Sequence, residues 1–384
     1  MQKRRSDFDI PSHLLGRKEI YLQKIKSTDN SGVFCVCQYK AKMNNLAMDM
    51  LAIGLLVIFL HRIELVKPLK KFNEEYLSLK STNMLRGLFA LVILCFHLTQ
   101  RTSGGIVFHQ FIHVGHLAVA GFFFFSGYGL QKKYMTDESY SKQFLLHRIP
   151  PVLVPCVIVV AVYFLVYAVQ GRLYFYRPWY VINILIFYVV YYMLMFVCKK
   201  SYAGMIIGAS VFYAVWVLIC RKLSCGGWWY NSTQLLVVGM FWAVEEKKIN
   251  MFLRKYYYLI TPIVWMTFFG GSMFTVAANQ FGHTEIGMLG VIISAVLFVF
   301  SVNLFTMKFR IGNPILNFFG NISYEFYLIH SLYISLLLEN SSIKIRNQFL
   351  GSCVVLVCSI VSAYLLHKLC QFILSKYTLV IPRK

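Results

Sequence analysis

Apolar runs recur along almost the whole of this sequence, and they decide what it can become. They fall at roughly 46–60, 85–99, 111–130, 149–169, 179–198, 203–220, 234–244, 256–278, 286–307, 318–338 and 349–375. Several approach ~20 residues, the length that crosses a hydrocarbon core of ~30 Å as a helix. The runs at 46–60, 85–99 and 234–244 are short for that, and 85–99 is kept because polar residues at its ends can sit in the interface or a cavity. The expected fold is all-α: a polytopic transmembrane helical bundle of ten core helices plus one extra helix at the N-terminus. Composition agrees. Charged residues make up only 14% of the chain, against ~25% in a soluble domain. That excludes a soluble globular protein, and no repeat, low-complexity tract or separate soluble domain interrupts the pattern.

The net charge of +23 would suggest nucleic acid in a soluble chain; here its position matters more. With the 61–86 segment placed in the cytoplasm and the core spans alternating from there, 21 Lys and Arg residues fall on the cytoplasmic side and 7 on the other. That asymmetry follows the positive-inside rule. It predicts a multi-pass protein of the inner or plasma membrane with a cytoplasmic C-terminus, whose basic residues serve the bilayer rather than nucleic acid.

The first 45 residues break this order. They are polar, carry nine basic residues, and lack the apolar core and cleavage site of a signal peptide. Residues 1–45 therefore read as a doubtful leader, with a natural start at Met43, Met48 or Met50. Residues 46–71 read as the extra helix and its flank, which either spans the membrane or dips into the interface. Residues 72–384 form the membrane domain.

Three blocks carry candidate chemistry. In LRGLFALVILCFH, residues 85–97, Arg86 and His97 are eleven residues apart, which brings them within ~20° on one helix face and ~16.5 Å apart along the axis. Arg86 would sit at the cytoplasmic mouth and His97 near mid-membrane, where ionisable groups usually line a cavity or a functional path. An interfacial anchor and a packed histidine account for the spacing equally well. In GHLAVAGFFFFSGYGL, residues 115–130, Gly115, Ala118, Ala120 and Gly121 allow close helix approach. Ser126 and Tyr128 then bring hydroxyls to the cytoplasmic end, although a packing face with a helix cap explains the block as well. In FGNISYEFYLIHSLYI, residues 319–334, Ser323, Tyr327 and His330 share one stripe while Glu325 points toward a neighbouring helix. Counting inward puts His330 at ~18 Å, near the depth of His97.

Together these blocks resemble the acyltransferase-3 family of integral-membrane acyltransferases over roughly residues 72–375. Arg86 and His97 match its Arg-x10-His hallmark. Phe123, Phe124, Ser126, Gly127 and Tyr128 match its segment of paired Phe followed by an apolar residue and SG-aromatic. Gly320, Ile322, Ser323, Tyr324, Tyr327, Leu328, Ile329 and His330 match its late G-x-I-S-Y-x-x-Y-L-I-H segment. The match departs at HRIPPVLVP, where Arg148 answers to the first of a basic pair and Pro151 replaces the second. Leu98 also follows His97 where many members carry a second histidine.

The resemblance implies transfer of a short acyl group, usually acetyl, from acyl-CoA to a hydroxyl of a bacterial envelope sugar or lipid-linked glycan. It implies His97 as base or acyl carrier, with Tyr327 and His330 orienting it or meeting the oxyanion. Arg86, Arg148, Ser126 and Tyr128 would hold the donor, and no metal is implied. A transporter or flippase of a polar envelope metabolite is the alternative, although no repeat symmetry accompanies it. Two smaller expectations remain. Cys220 and Cys225 are close enough in sequence for one bridge. His109, His113 and His116 have a spacing that would put three imidazoles on one helix face, as zinc ligands or, more simply, as interfacial histidines.

Overall fold

A computed structural model describes residues 31–380 apart from 69–70, 175, 200 and 340–342, and side chains apart from those of 31–44, 279 and 377–380. The doubtful leader up to residue 30 lies outside the described residues. The helices are α1 (Ser31–Leu60), α2 (Leu79–Thr99), α3 (Ile106–His109), α4 (Gly115–Thr136), α5 (Tyr140–Val169), α6 (Trp179–Val197) and α7 (Tyr202–Lys222). They continue as α8 (Gln234–Lys255), α9 (Tyr257–Gln280), α10 (Thr284–Lys308), α11 (Pro314–Asn321), α12 (Ser323–Ile334) and α13 (Gln348–Val380). Among the described residues the only sheet is one antiparallel pair, β1 (Ile63–Leu65) with β2 (Phe309–Ile311), Glu64 opposite Arg310.

Seven of these helices are long and apolar enough to cross a membrane, or eight if the pair Ile106–His113 and Gly115–Thr136, bent by 49°, counts as one span. This is a multi-pass membrane protein, with fewer independent spans than the ten core helices the apolar runs suggest. The difference lies in the elements enclosed by others. The 318–338 run divides at Ile322, where φ −106° and ψ 8° end α11, and α12 finishes in a π-helical turn at Ser335–Glu339. The 234–244 run continues as α8 through Glu245, Glu246, Lys247 and Lys248. A helix packed among protein need not be apolar all round, so these two fall below what a lipid-facing span requires. The 85–99 run is the converse case. Its helix begins earlier, at Leu79, where the Ser78 hydroxyl accepts from the Ser81 amide at 3.3 Å, a serine N-cap.

Close packing at two crossings fixes the centre. A Cβ on Gly87 would stand 2.1 Å from the Leu316 carbonyl oxygen, and one on Gly320 2.1 Å from that of Asn83; α2 and α11 touch backbone to backbone. A Cβ on Gly127 would stand 1.9 Å from the Leu236 carbonyl oxygen, and one on Gly239 2.3 Å from that of Phe124; α4 and α8 touch in the same way. Small residues permit such approach where lipid gives no hydrophobic drive between helices. Around this centre α5, α6, α7, α9 and α13 present many large apolar side chains outward.

Polar contacts gather at the two ends of the bundle. At one end Arg254 pairs with Glu74 at 2.5 Å, Lys132 pairs with Glu246, and the Tyr76 hydroxyl donates to Asn250 at 2.6 Å. At the other, Arg221 pairs with Glu285 at 2.5 Å, Arg101 pairs with Glu339, and Asp49 accepts from the Val107 and Phe108 amides at 2.8 and 2.9 Å. The first end gathers segments given to the cytoplasmic side by charge, and the second gathers the opposite ones. Helix α1 joins both ends, from Asp49 to the Ile58 and His61 carbonyls that accept from Asn313. Cys220 and Cys225 remain free thiols, so the structure does not contain the bridge their proximity suggested.

Candidate active site

A cavity of about 590 Å³ enters from the basic end. Exposed Leu79 and Lys133 stand at its mouth, and Arg86, Ser126, Arg148, Tyr188 and Ser323 line it further in, with Ile93, Val119, Tyr180 and Tyr327 also on its wall. From Leu79 to Ile93 it follows α2 for ~21 Å. Its walls are mainly apolar and aromatic, among them Phe122, Phe125 and Ile184.

Two guanidiniums enter this cleft without counter-charges. Arg86 lies 5.9 Å from the centre of the Phe125 ring, a cation–π contact. Arg148 donates through Nε to the Tyr140 hydroxyl at 2.7 Å and lies 5.5 Å from that ring's centre. Among the described residues neither has a carboxylate partner, while Lys133 at the mouth pairs with Asp137 at 2.9 Å. Asp137 titrates below the usual carboxylate range, first through its hydrogen bond from Lys133 and then through that from Ser139. Arg148 stands on α5 a half turn before Pro150 and Pro151. These residues, with Pro155, lack the amides that regular helix would use, and near them the Val152 carbonyl accepts the Tyr324 hydroxyl at 2.6 Å. That bond ties α5 to α12.

Beyond the cleft lies a pair of histidines. His330, buried on α12, has its ring centre 5.1 Å from that of His97 on α2 and 6.0 Å from that of Tyr327. Tyr327 in turn meets Tyr180 edge-on at 5.1 Å. The His330 Nδ1 lies 3.0 Å from the Phe326 carbonyl. A carbonyl only accepts, so the proton sits on Nδ1 and Nε2 faces the Ser331 hydroxyl at 3.3 Å. The His97 Nδ1 lies 3.2 Å from Gln100 Oε1. With the amide oxygen turned to the ring, Nδ1 donates and Nε2 keeps its lone pair. His97 is half-buried and belongs to the last turn of α2. It therefore stands at the end of α2 opposite the cleft mouth, since the helix begins at Leu79 and ends at Thr99.

Arg86, Arg148, Ser126 and Tyr327 thus share one cavity; His330 adjoins its Tyr327 wall, and His97 lies against His330. Tyr128 is not among them: its hydroxyl donates to Glu246 on α8 at 3.0 Å. Gly127 seals the α4–α8 crossing, so of the Ser-Gly-Tyr run only Ser126 faces the cleft. The three histidines read as one face fall on separate elements. His109 ends α3, His113 ends a 3-10 turn, and His116 follows the bend, with Nε2 3.5 Å from the Ser294 hydroxyl. Residues that sequence reasoning passed over complete the site. Gln100 is one, and Tyr180 and Tyr188 on α6 are others. His367 Nδ1 meets Glu325 Oε1 at 2.9 Å, holding the back of α12 to α13. Only the buried position of Glu325 in an apolar run hinted at that partner.

Residues 79–368 match the acyltransferase-3 family model, described as an acyltransferase domain. The chain belongs to this acyltransferase family. No curated protein and no solved structure matches it. The matched region begins at the first residue of α2 and ends within α13, so it contains the whole cleft and the histidine pair. A membrane acyltransferase is the activity that follows.

Proposed function

We propose that this acyltransferase moves a short acyl group, acetyl in the first instance, from acyl-CoA to a hydroxyl of a cell-envelope sugar or lipid-linked glycan. The observation that carries this reading is the pair of uncompensated guanidiniums in a cleft that enters from the basic end and adjoins two histidines. Arginine suits phosphate because its planar fork donates two parallel hydrogen bonds. Arg86 and Arg148 bind the donor's phosphates. The donor set is cationic and hydroxyl-bearing, with no carboxylate lining the cavity, and it fits such an anion; the apolar wall of Phe122, Phe125 and Ile184 suits the arm that follows.

His97 supplies the base. Gln100 holds the proton on Nδ1, so Nε2 takes the acceptor's hydroxyl proton as that oxygen attacks the thioester carbonyl. The new C–O bond forms, the C–S bond breaks, and the proton passes to the leaving thiolate. Products are the O-acyl sugar and free CoA. Tyr327 offers a hydroxyl to the developing oxyanion, and His330 packs against both side chains. A membrane position with the C-terminus in the cytoplasm places the cleft mouth where acyl-CoA is found.

Membranes carrying the chain, given radiolabelled acetyl-CoA and the envelope glycan fraction, test the reading. Wild type labels the glycan, and His97→Ala and Arg86→Ala at equal membrane levels do not. Equal labelling by all three discards the assignment.

A further inference from the structure

The cleft just described is assigned above to the donor, and a second surface at the opposite end is equipped for an acceptor. The segment between α5 and α6 brings Tyr174 and Tyr176 over Tyr163 and Tyr167 of α5. Tyr176 stacks on Tyr163 with centroids 4.3 Å apart and planes 12° from parallel, and Tyr174 lies 4.7 Å from Tyr167. The Tyr163 hydroxyl is buried with no hydrogen-bond partner among the described residues, and the residue as a whole is 2% exposed. A buried hydroxyl left unpaired costs stability, and that cost is relieved when a ligand supplies the missing partner. Tyr174 is exposed, so the cluster reaches the surface.

The cluster also leads to the chemistry. Tyr180, in the first turn of α6 just after the segment, meets Tyr327 edge-on with ring centres 5.1 Å apart, and the Tyr327 ring adjoins His330 and through it His97. His97 is half-buried in the last turn of α2, near this end. Charge marks the same surface. Arg101 and Arg221 at this end are each paired with a glutamate, whereas exposed Arg172 and Arg177, flanking the tyrosines, have no carboxylate partner among the described residues.

We infer that the tyrosine cluster of the α5–α6 segment is the acceptor site, and that its ligand is a negatively charged glycan. Sugar rings present flat C–H faces that stack on aromatic rings, and their hydroxyls satisfy groups such as that of Tyr163. Arg172 and Arg177 meet the glycan's carboxylates or phosphates. This rests on the transferase reading above: donor and acceptor enter from opposite ends and meet at His97.

The test is a titration of envelope glycan at saturating radiolabelled acetyl-CoA, then the reverse. Tyr174→Ser raises the half-saturating glycan concentration about tenfold and Tyr163→Phe about fivefold, the range of a lost ring contact or hydrogen bond. Half-saturation by acetyl-CoA stays within about twofold, because neither residue lines the donor cleft. The pair Arg172→Gln and Arg177→Gln weakens the glycan further at low salt than at high. Glycan stripped of phosphate, or reduced at its carboxyls, reproduces that loss in wild type and tells which group is read. Unchanged glycan half-saturation in both tyrosine variants overturns the site. A rise for acetyl-CoA instead overturns it also. If neither treated glycan differs from native, the anionic half of the inference falls. Absence of any labelling by wild type is a different failure, that of the transferase reading itself.

Discussion

Two sets of arginines in this protein have opposite surroundings, and the contrast distinguishes scaffold from candidate chemistry. Arg254, Arg221 and Arg101 stand at the ends of the bundle, each against a glutamate from another element. Arg86 and Arg148 stand in the cleft with aromatic rings and a tyrosine hydroxyl as neighbours and no carboxylate among the described residues. An arginine that already has its anion helps hold helices together at the water boundary. One held by a ring and a phenol is positioned but keeps its charge for a ligand.

Substitution can break that contrast. The largest effect belongs to Arg86→Ala, which should cut acyl transfer by about 100-fold or more while membrane levels stay near wild type, since a charge-assisted contact to phosphate is lost. Arg148→Ala should cost about tenfold to 100-fold, because Tyr140 and the mouth lysine remain. Should Arg254→Ala harm transfer as much as either, the division is wrong.

The Ser-Gly-Tyr-Gly run offers a second contrast within four residues. Gly127→Ala drives a Cβ into the Leu236 backbone, and a backbone cannot step aside, so a loss of ~1–3 kcal/mol is expected as lower thermal stability in detergent. Gly129→Ala, with nothing within 4 Å of its Cβ, should leave the melting temperature in place. Tyr128→Phe removes only the bond to Glu246 and should cost about 1–3 kcal/mol of stability with transfer kept within a few-fold. A large loss of transfer in Tyr128→Phe at normal stability would return Tyr128 to the donor site. The smallest effect is that of Arg254→Ala on stability, about 1 kcal/mol or less and reduced further by salt, as for surface pairs generally.

Much of the site was legible because the sequence repeats at helical spacing. A separation of eleven residues placed Arg86 and His97 on one helix face, and the matching late block brought His330 to a similar depth; the His97 and His330 rings lie 5.1 Å apart. The start of α2 was set too late, since its first turn is polar and apolar counting passes over it. The same counting overstated the number of spans, because α8 and α12 are packed among protein and obey a weaker rule than lipid-facing helices. Tyr128 looked like part of the donor site, yet which face of α4 meets α8 depends on Gly239, more than a hundred residues away. Gln100 was hidden for another reason: one turn after a histidine, an ordinary polar residue at a helix end carries no pattern. The Glu325–His367 pair joins helices 42 residues apart, beyond any local periodicity.

Direct binding of acetyl-CoA to the purified protein in detergent tests the central claim, that the cleft arginines are reserved for a polyanion. By isothermal titration, wild type and Arg254→Ala should bind with affinities that fall steeply as salt rises, and Arg86→Ala combined with Arg148→Ala should show no saturable binding at normal thermal stability. Equal affinity in wild type and the double variant would contradict the account.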